Sequence, residues 1–283
     1  MPVLAVYKFI MQARLSRSIW SFTIFHAGND FTKLTNKTLM LRSFIIALQF
    51  LSRIPLTSNF EAVEGDLGRS LLFYPLIGLL IGALLILTAT LSQHLNLFLS
   101  AALVVSVWVL VTGALHLDGL ADTTDAWIGG MGSKERTLEI MKDPASGPMG
   151  VLSLILLVLL KTAAIYSILV AGENYLLLIA PLLGRTLAIL LMALTPYVRE
   201  GGLGAILAKE LHKGNVFMVS AGVAILIICI SFYSGIVVIL VCSAVLLFWR
   251  HLLLKRLQGC TGDTIGALIE VSECLALVSL AIC

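Results

Sequence analysis

Polar and apolar positions in this chain are sorted into long apolar runs separated by short polar connections. The runs cover roughly 71–92, 97–117, 149–171, 175–194, 216–232, 234–249 and 264–282. Most approach the length, about 20 residues, that an α-helix needs to cross a bilayer. In lipid the backbone groups must bond within their own segment, so the runs predict helices. The expected fold class is all-α: a polytopic helical integral membrane protein with about seven transmembrane helices and one further N-terminal helix.

The further helix is the segment "LRSFIIALQFLSRIPL", 41–56. Lys and Arg gather in three connections: Lys134, Arg136 and Lys142; Arg199, Lys209 and Lys213; Arg250, Lys255 and Arg256. The positive-inside rule places all three in the cytoplasm. The connections at 93–96, 172–174 and 233–235 carry neither residue, as the opposite side requires. Carried backwards, the alternation puts 57–70 in the cytoplasm too. A spanning 41–56 would then export Lys8, Arg14, Arg17, Lys33, Lys37 and Arg42. The segment is therefore expected to lie in the interface or tuck into the bundle, with Arg53 near its polar end. Residues 1–39, with scattered charge and weak periodicity, read as an appendage, either a disordered segment or one lying ahead of an internal start at Met40. Residues 40–283 read as a single membrane-embedded domain.

Composition agrees: 59% of residues are hydrophobic and 12% charged, with a mean hydropathy of +1.02. That excludes an ordinary soluble domain. A net charge of +3, spread over separate loops, does not suit nucleic acid. The five cysteines, Cys229, Cys242, Cys260, Cys274 and Cys283, show no CxxC spacing. They read as small hydrophobes and indicate neither disulfides nor zinc.

Against this background "HLDGLADTTDAWIGG" is unusual. Asp118, Asp122 and Asp125 recur at i, i+4 and i+7, which on a helix puts the second and third within about 40° of the first. No Lys or Arg lies between Gly113 and Ser133 to neutralise them. Like charges this close need a cation, and a hard divalent ion such as Mg2+ takes oxygen ligands and shares them with phosphates. The bland alternative is a solvated helix end. His116, two residues before the first of them, is either a hydrogen-bonded structural residue or a base. Gly119 and Ala121 are small enough for close approach of backbone or ligand.

Downstream, "ERTLEIMKD" spaces Glu135, Glu139 and Asp143 at i, i+4 and i+8 beside Arg136 and Lys142. It is either a surface helix with ion pairs or a source of phosphate-gripping cations. In the last span Asp263, Gly266, Glu270 and Glu273 follow i, i+3, i+7 and i+10. Carboxylates in a membrane need a cavity or a partner, and Lys161 and Arg185 lie at comparable depth. Buried pairing and a catalytic role for Glu270 and Glu273 both fit. Asp263, in a polar loop, is the stronger functional candidate.

Five ordered motifs, "LQFLSRIPL", "YPLIGLLIG", "HLDGLADTTDA", "ERTLEIMKD" and "GCTGDTIGALIE", resemble the cobalamin-5'-phosphate synthase (adenosylcobinamide-GDP ribazoletransferase) family from about Leu41 to the C-terminus. The resemblance implies Mg2+-dependent attack of α-ribazole, or its 5'-phosphate, on the pyrophosphate of adenosylcobinamide-GDP. Adenosylcobalamin, or its 5'-phosphate, is formed and GMP released. It implies catalytic roles for Asp118, Asp122, Asp125 and His116, with the three aspartates holding metal. Gly119, Arg136, Glu139, Lys142, Asp143, Arg185 and Asp263 are the implied substrate-binding residues. Glu135, Tyr74, Pro75, Gly184, Thr261, Gly262, Gly266 and Glu270 match the remaining family positions. The chain departs from the family at Pro144 and at Gly147–Pro148, where a Ser and a Gly-Thr pair are usual; hydroxyl contacts from those positions do not carry over.

The expected setting is the bacterial inner membrane, with the acidic motif facing the cytoplasm. Partners expected besides the substrates are the lipid bilayer and either other corrinoid-assembly enzymes or a second copy. Two alternatives stand beside this reading. A CDP-alcohol phosphotransferase shares aspartates after DG-x-x-A but carries an arginine where this chain has Asp122. An ion-coupled transporter would use the intramembrane charges, but no internal repeat accompanies them.

Overall fold

A computed structural model describes residues 36–54, 65–199 and 203–283. The expected appendage up to residue 35 and most of the 57–70 connection lie outside the described residues. The helices, in chain order, are α1 (Asn36–Leu51), α2 (Asp66–Ser70), α3 (Tyr74–Leu91), α4 (Leu97–Thr112), α5 (Leu115–Gly129), α6 (Lys134–Ile140), α7 (Pro148–Ala171), α8 (Ile179–Leu194), α9 (Leu203–Glu210), α10 (Lys213–Ile230), α11 (Phe232–Leu257) and α12 (Gly262–Ile282). Among the described residues the only extended pairing is an isolated parallel bridge between Tyr197 and Cys260.

Six helical segments are long and apolar enough to cross a membrane: Asp66–Leu91, Pro148–Ala171, Asn174–Leu194, Lys213–Ile230, Phe232–Leu257 and Gly262–Ile282. The protein is thus a multi-pass helical membrane protein. The apolar run expected at 97–117 behaves differently. It stops at Thr112, and α4 and α5 meet at a bend of 89°; counting the bent pair as one span restores seven. Gly113 (φ 64°) and Ala114 (φ 55°) both take left-handed backbone, a conformation that ends a helix. Arg53 holds the break from outside. Its backbone N–H donates to the Val111 carbonyl at 2.7 Å, and a β-carbon on Gly113 would stand 2.2 Å from its Nε.

Helix α8 is enclosed by its neighbours, whereas α10 and α11 keep most of their surface on the outside. Close approach explains the centre. β-Carbons on Gly78 and Gly82 of α3 would lie 2.4 Å from the Pro181 carbonyl and 2.8 Å from Leu178 Cα. Without a hydrophobic force between helices in lipid, such small-residue contacts drive association. The apolar part of α1, Leu39–Leu51, is shorter than a span. It buries Ala47, Leu48 and Leu51, leaves Met40 and Leu41 exposed and stacks Phe50 on Tyr74. This is the tucked or interfacial helix expected of 41–56.

Candidate active site

The acidic helix α5 is wedged between α12 and α7. Two glycines set its depth on α12. A β-carbon on Gly119 would come within 2.8 Å of the Asp263 carbonyl oxygen, and one on Gly266 within 3.3 Å of His116 Cα. The crossing therefore places Asp118 and Asp122 beside the first turn of α12. Thr261 shapes that turn: its hydroxyl accepts from Thr264 N, and the Thr264 hydroxyl accepts from Thr261 N. This reciprocal cap satisfies two of the helix's first donors.

Asp125, farther along the same face of α5, meets the start of α7. Its Oδ2 accepts from Gly147 N at 2.7 Å and its Oδ1 from Gly150 N at 2.8 Å. A β-carbon at Gly150 would stand 2.3 Å from Oδ2, so only glycine lets the carboxylate reach both amides. Asp125 thus ties the loop before α7 to α5, while Asp118 and Asp122 remain half-buried on the helix. Among the described residues no group of three His, Cys, Asp or Glu side chains converges closely enough to cage a metal. Two carboxylates suit Mg2+ nonetheless. That ion is ordinarily held by one or two carboxylates, with water and substrate phosphates completing its shell. His116 is buried, with no hydrogen-bond partner for Nδ1 among the described residues.

Helix α6 divides its expected residues. Arg136 pairs with Glu139 at 2.8 Å, both well exposed, and Asp143 accepts from Ala145 N in a turn. These are the contacts of an ordinary surface helix, worth little in water. Glu135 is exposed, and backbone hydrogen bonding, with the Ser133 hydroxyl second, holds its carboxyl below the usual range. Lys142 is placed differently. It lines a cleft of about 270 Å3 whose walls include Leu138, Met141, Val198, Arg199 and Asp263. Arg199 pairs with Asp263 at 3.1 Å.

Sequence reasoning used Arg199 and Arg256 only for orientation and missed what each one holds. Arg256 reaches from α11 to donate to the Trp127 carbonyl at 2.9 Å and the Thr137 hydroxyl at 3.0 Å, and it lies over the Trp127 ring. No periodicity links these residues; the folded chain alone joins them. Cys260, beside the cleft, is buried, and burial pushes its thiol up to about 12, so it stays a protonated small hydrophobe.

Arg185 lies elsewhere. It is fully buried in α8 and pairs with Glu273, while Lys161 donates to Glu270 at 2.7 Å and to Glu273 at 2.8 Å. The Lys161 ammonium also sits 4.2 Å from the Trp108 ring centre. Two cations and two anions therefore compensate one another inside the bundle. The cavity beside Lys161 and Glu270, about 10 Å3, has room for about one water. The pairing inferred from the last span is present, and Arg185 serves it, away from the cleft.

Fold and site together define a polytopic membrane protein that gathers carboxylates and a cation-lined cleft at one end of its bundle. The chain belongs to the cobalamin-5-phosphate synthase family, whose model matches residues 43–281. It is 50% identical over 240 residues to the adenosylcobinamide-GDP ribazoletransferase of Pseudomonas savastanoi pv. phaseolicola, and equally to that of Pseudomonas syringae pv. syringae. The corresponding protein of Pseudomonas fluorescens is 47% identical over 237 residues. Each match covers 84% of this chain and 98% of the relative. No solved structure matches it.

Proposed function

We propose that this protein joins adenosylcobinamide-GDP to α-ribazole, or to its 5'-phosphate, at the cytoplasmic face of a bacterial inner membrane. The observation that carries the reading is the similarity to the named ribazoletransferases over nearly their whole length. The packing of Gly119, between Asp118 and Asp122 in sequence, on the Asp263 backbone supports it, since a diphosphate substrate needs a polar site at the end of the bundle.

In the reaction a ribose hydroxyl oxygen attacks the phosphorus nearest the cobinamide. The new phosphodiester forms as the bridging P–O bond breaks and GMP leaves with that oxygen. The hydroxyl proton passes to an aspartate of the motif. Asp118 and Asp122 would hold Mg2+, which when bound neutralises the diphosphate. Asp125 keeps the loop before α7 in place. Neither alternative is favoured: the family is not that of the CDP-alcohol phosphotransferases, and the intramembrane charges are mutually paired.

Purified protein in detergent, given adenosylcobinamide-GDP and α-ribazole with and without Mg2+, tests this directly. Corrinoid product and an equal amount of GMP are expected only with Mg2+. Product from CDP-diacylglycerol in their place, or none under any condition, overturns the proposal; turnover undiminished by EDTA removes the metal from it.

A further inference from the structure

The cleft beside α12 has a charge opposite to that of the α5 face across the Gly119–Asp263 contact. On one side stand Asp118 and Asp122. On the other, Lys142 and Arg199 outnumber Asp263. Asp263 takes one guanidinium nitrogen, Nη1, at 3.1 Å. A guanidinium carries five N–H donors, and this is its only side-chain hydrogen bond among the described residues. Nor does Lys142 make an ion pair among them. Two cations thus face a common space with donors in reserve.

The space is also built before any ligand arrives. Val198 N donates to the Cys260 carbonyl at 3.0 Å and Cys260 N to the Pro196 carbonyl at 2.8 Å. This bridge pins the strand-like segment that carries Arg199 to the residues leading into α12. Leu138, Met141 and Val198 supply an apolar wall against which a sugar or flat ring can lie. At about 270 Å3 the cleft falls just under the ~300–1,000 Å3 of pockets that enclose drug-sized ligands. It suits a phosphorylated sugar and is far too small for a corrin.

Resting on the transferase reading above, we infer that this cleft binds the non-reacting 5'-phosphate of α-ribazole 5'-phosphate. Arg199 and Lys142 are then the residues that make the phosphorylated acceptor the preferred one. A phosphate monoester near neutral pH carries a charge of about −1.5 to −2. The acidic face of α5 repels it, and the two cations attract it. Anchoring that group in the cleft leaves the ribose hydroxyl free to reach the diphosphate held at Asp118 and Asp122.

The test compares kcat/KM for α-ribazole 5'-phosphate and for α-ribazole in the full-length protein reconstituted in nanodiscs. Arg199→Gln should lower the value for the phosphorylated acceptor by about tenfold or more beyond any loss for the free one. Lys142→Gln should act in the same direction, and Arg199→Lys should recover part of the preference. Asp263→Asn breaks the same ion pair but keeps both cations, so it should preserve or raise the preference. Equal losses on both acceptors in Arg199→Gln overturn the inference, as does a preference lost alike in Asp263→Asn. Weakened inhibition by GMP with the acceptor preference unchanged would assign the cleft to the donor nucleotide instead and also overturn it. Calorimetric binding of α-ribazole 5'-phosphate separates the two readings. If the wild type turns over neither acceptor but binds this nucleotide at least tenfold more tightly than Arg199→Gln does, the cleft stands and the transferase reading falls. Equal affinity sinks the cleft.

Discussion

Gly119 of α5 rests directly on Asp263 of α12, so closely that a β-carbon at Gly119 would lie 2.8 Å from the Asp263 carbonyl oxygen. This contact brings the acidic motif and the cleft to one place. Gly119→Ala must push the two helices apart. Overpacking of this kind costs about 1–3 kcal/mol, and here the shift falls on the reacting groups. Turnover should drop by at least tenfold, while the purified protein keeps its helical circular dichroism. Gly266→Ala, whose β-carbon would meet His116 Cα at 3.3 Å, should be milder in the same assay.

Asp125 differs from its two neighbours in what it holds. Asp125→Asn replaces an acceptor of two backbone amides with a group that can accept on one side only. Losing a hydrogen bond to a charged acceptor costs about 1.5–3 kcal/mol, so its thermal unfolding temperature should fall. Asp118→Asn and Asp122→Asn should instead lose turnover by more than 100-fold, in keeping with loss of metal and charge stabilisation. Unfolding curves and initial rates on the three variants check the division.

Lys161 is shared by Glu270 and Glu273. Lys161→Met strands buried carboxylates, a change of about 3–5 kcal/mol where one partner of a buried pair is removed. The variant should fail to accumulate in the membrane. Lys161→Glu should be worse, and the double variant with Glu270→Lys should recover detergent-extractable, monodisperse protein. Size-exclusion profiles after membrane extraction give the readout.

Arg256 holds α6 and the end of α5 to α11 by two hydrogen bonds. Arg256→Ala should loosen that corner without unfolding the bundle. Protease cutting between 130 and 147 should accelerate, turnover should fall several-fold, and the global melting temperature should move by only a few degrees. Uniform protection from proteolysis would show that the corner does not depend on this arginine.

Much of this molecule was legible in one dimension. Lipid leaves the backbone few choices, so runs near 20 apolar residues predicted the helices. The carboxylate spacing made α5 a candidate site, because like charges on one helical face need a counter-ion. The charge balance of the last span predicted Lys161 and Arg185 as partners of Glu270 and Glu273. These signals are local, or are sums over the whole chain, and therefore survive without coordinates.

What the tertiary structure decided is pairwise and long-range. It broke the run at 97–117 where Gly113 and Ala114 turn left-handed around Arg53. It bound Asp125 to two amides, set Arg136 and Glu139 on the surface, and buried Arg185 away from the cleft. It also brought Arg199, from the chain after α8, to Asp263. Each depends on which helix packs on which, and that is settled by close fits such as Gly119 on Asp263, which no periodicity encodes.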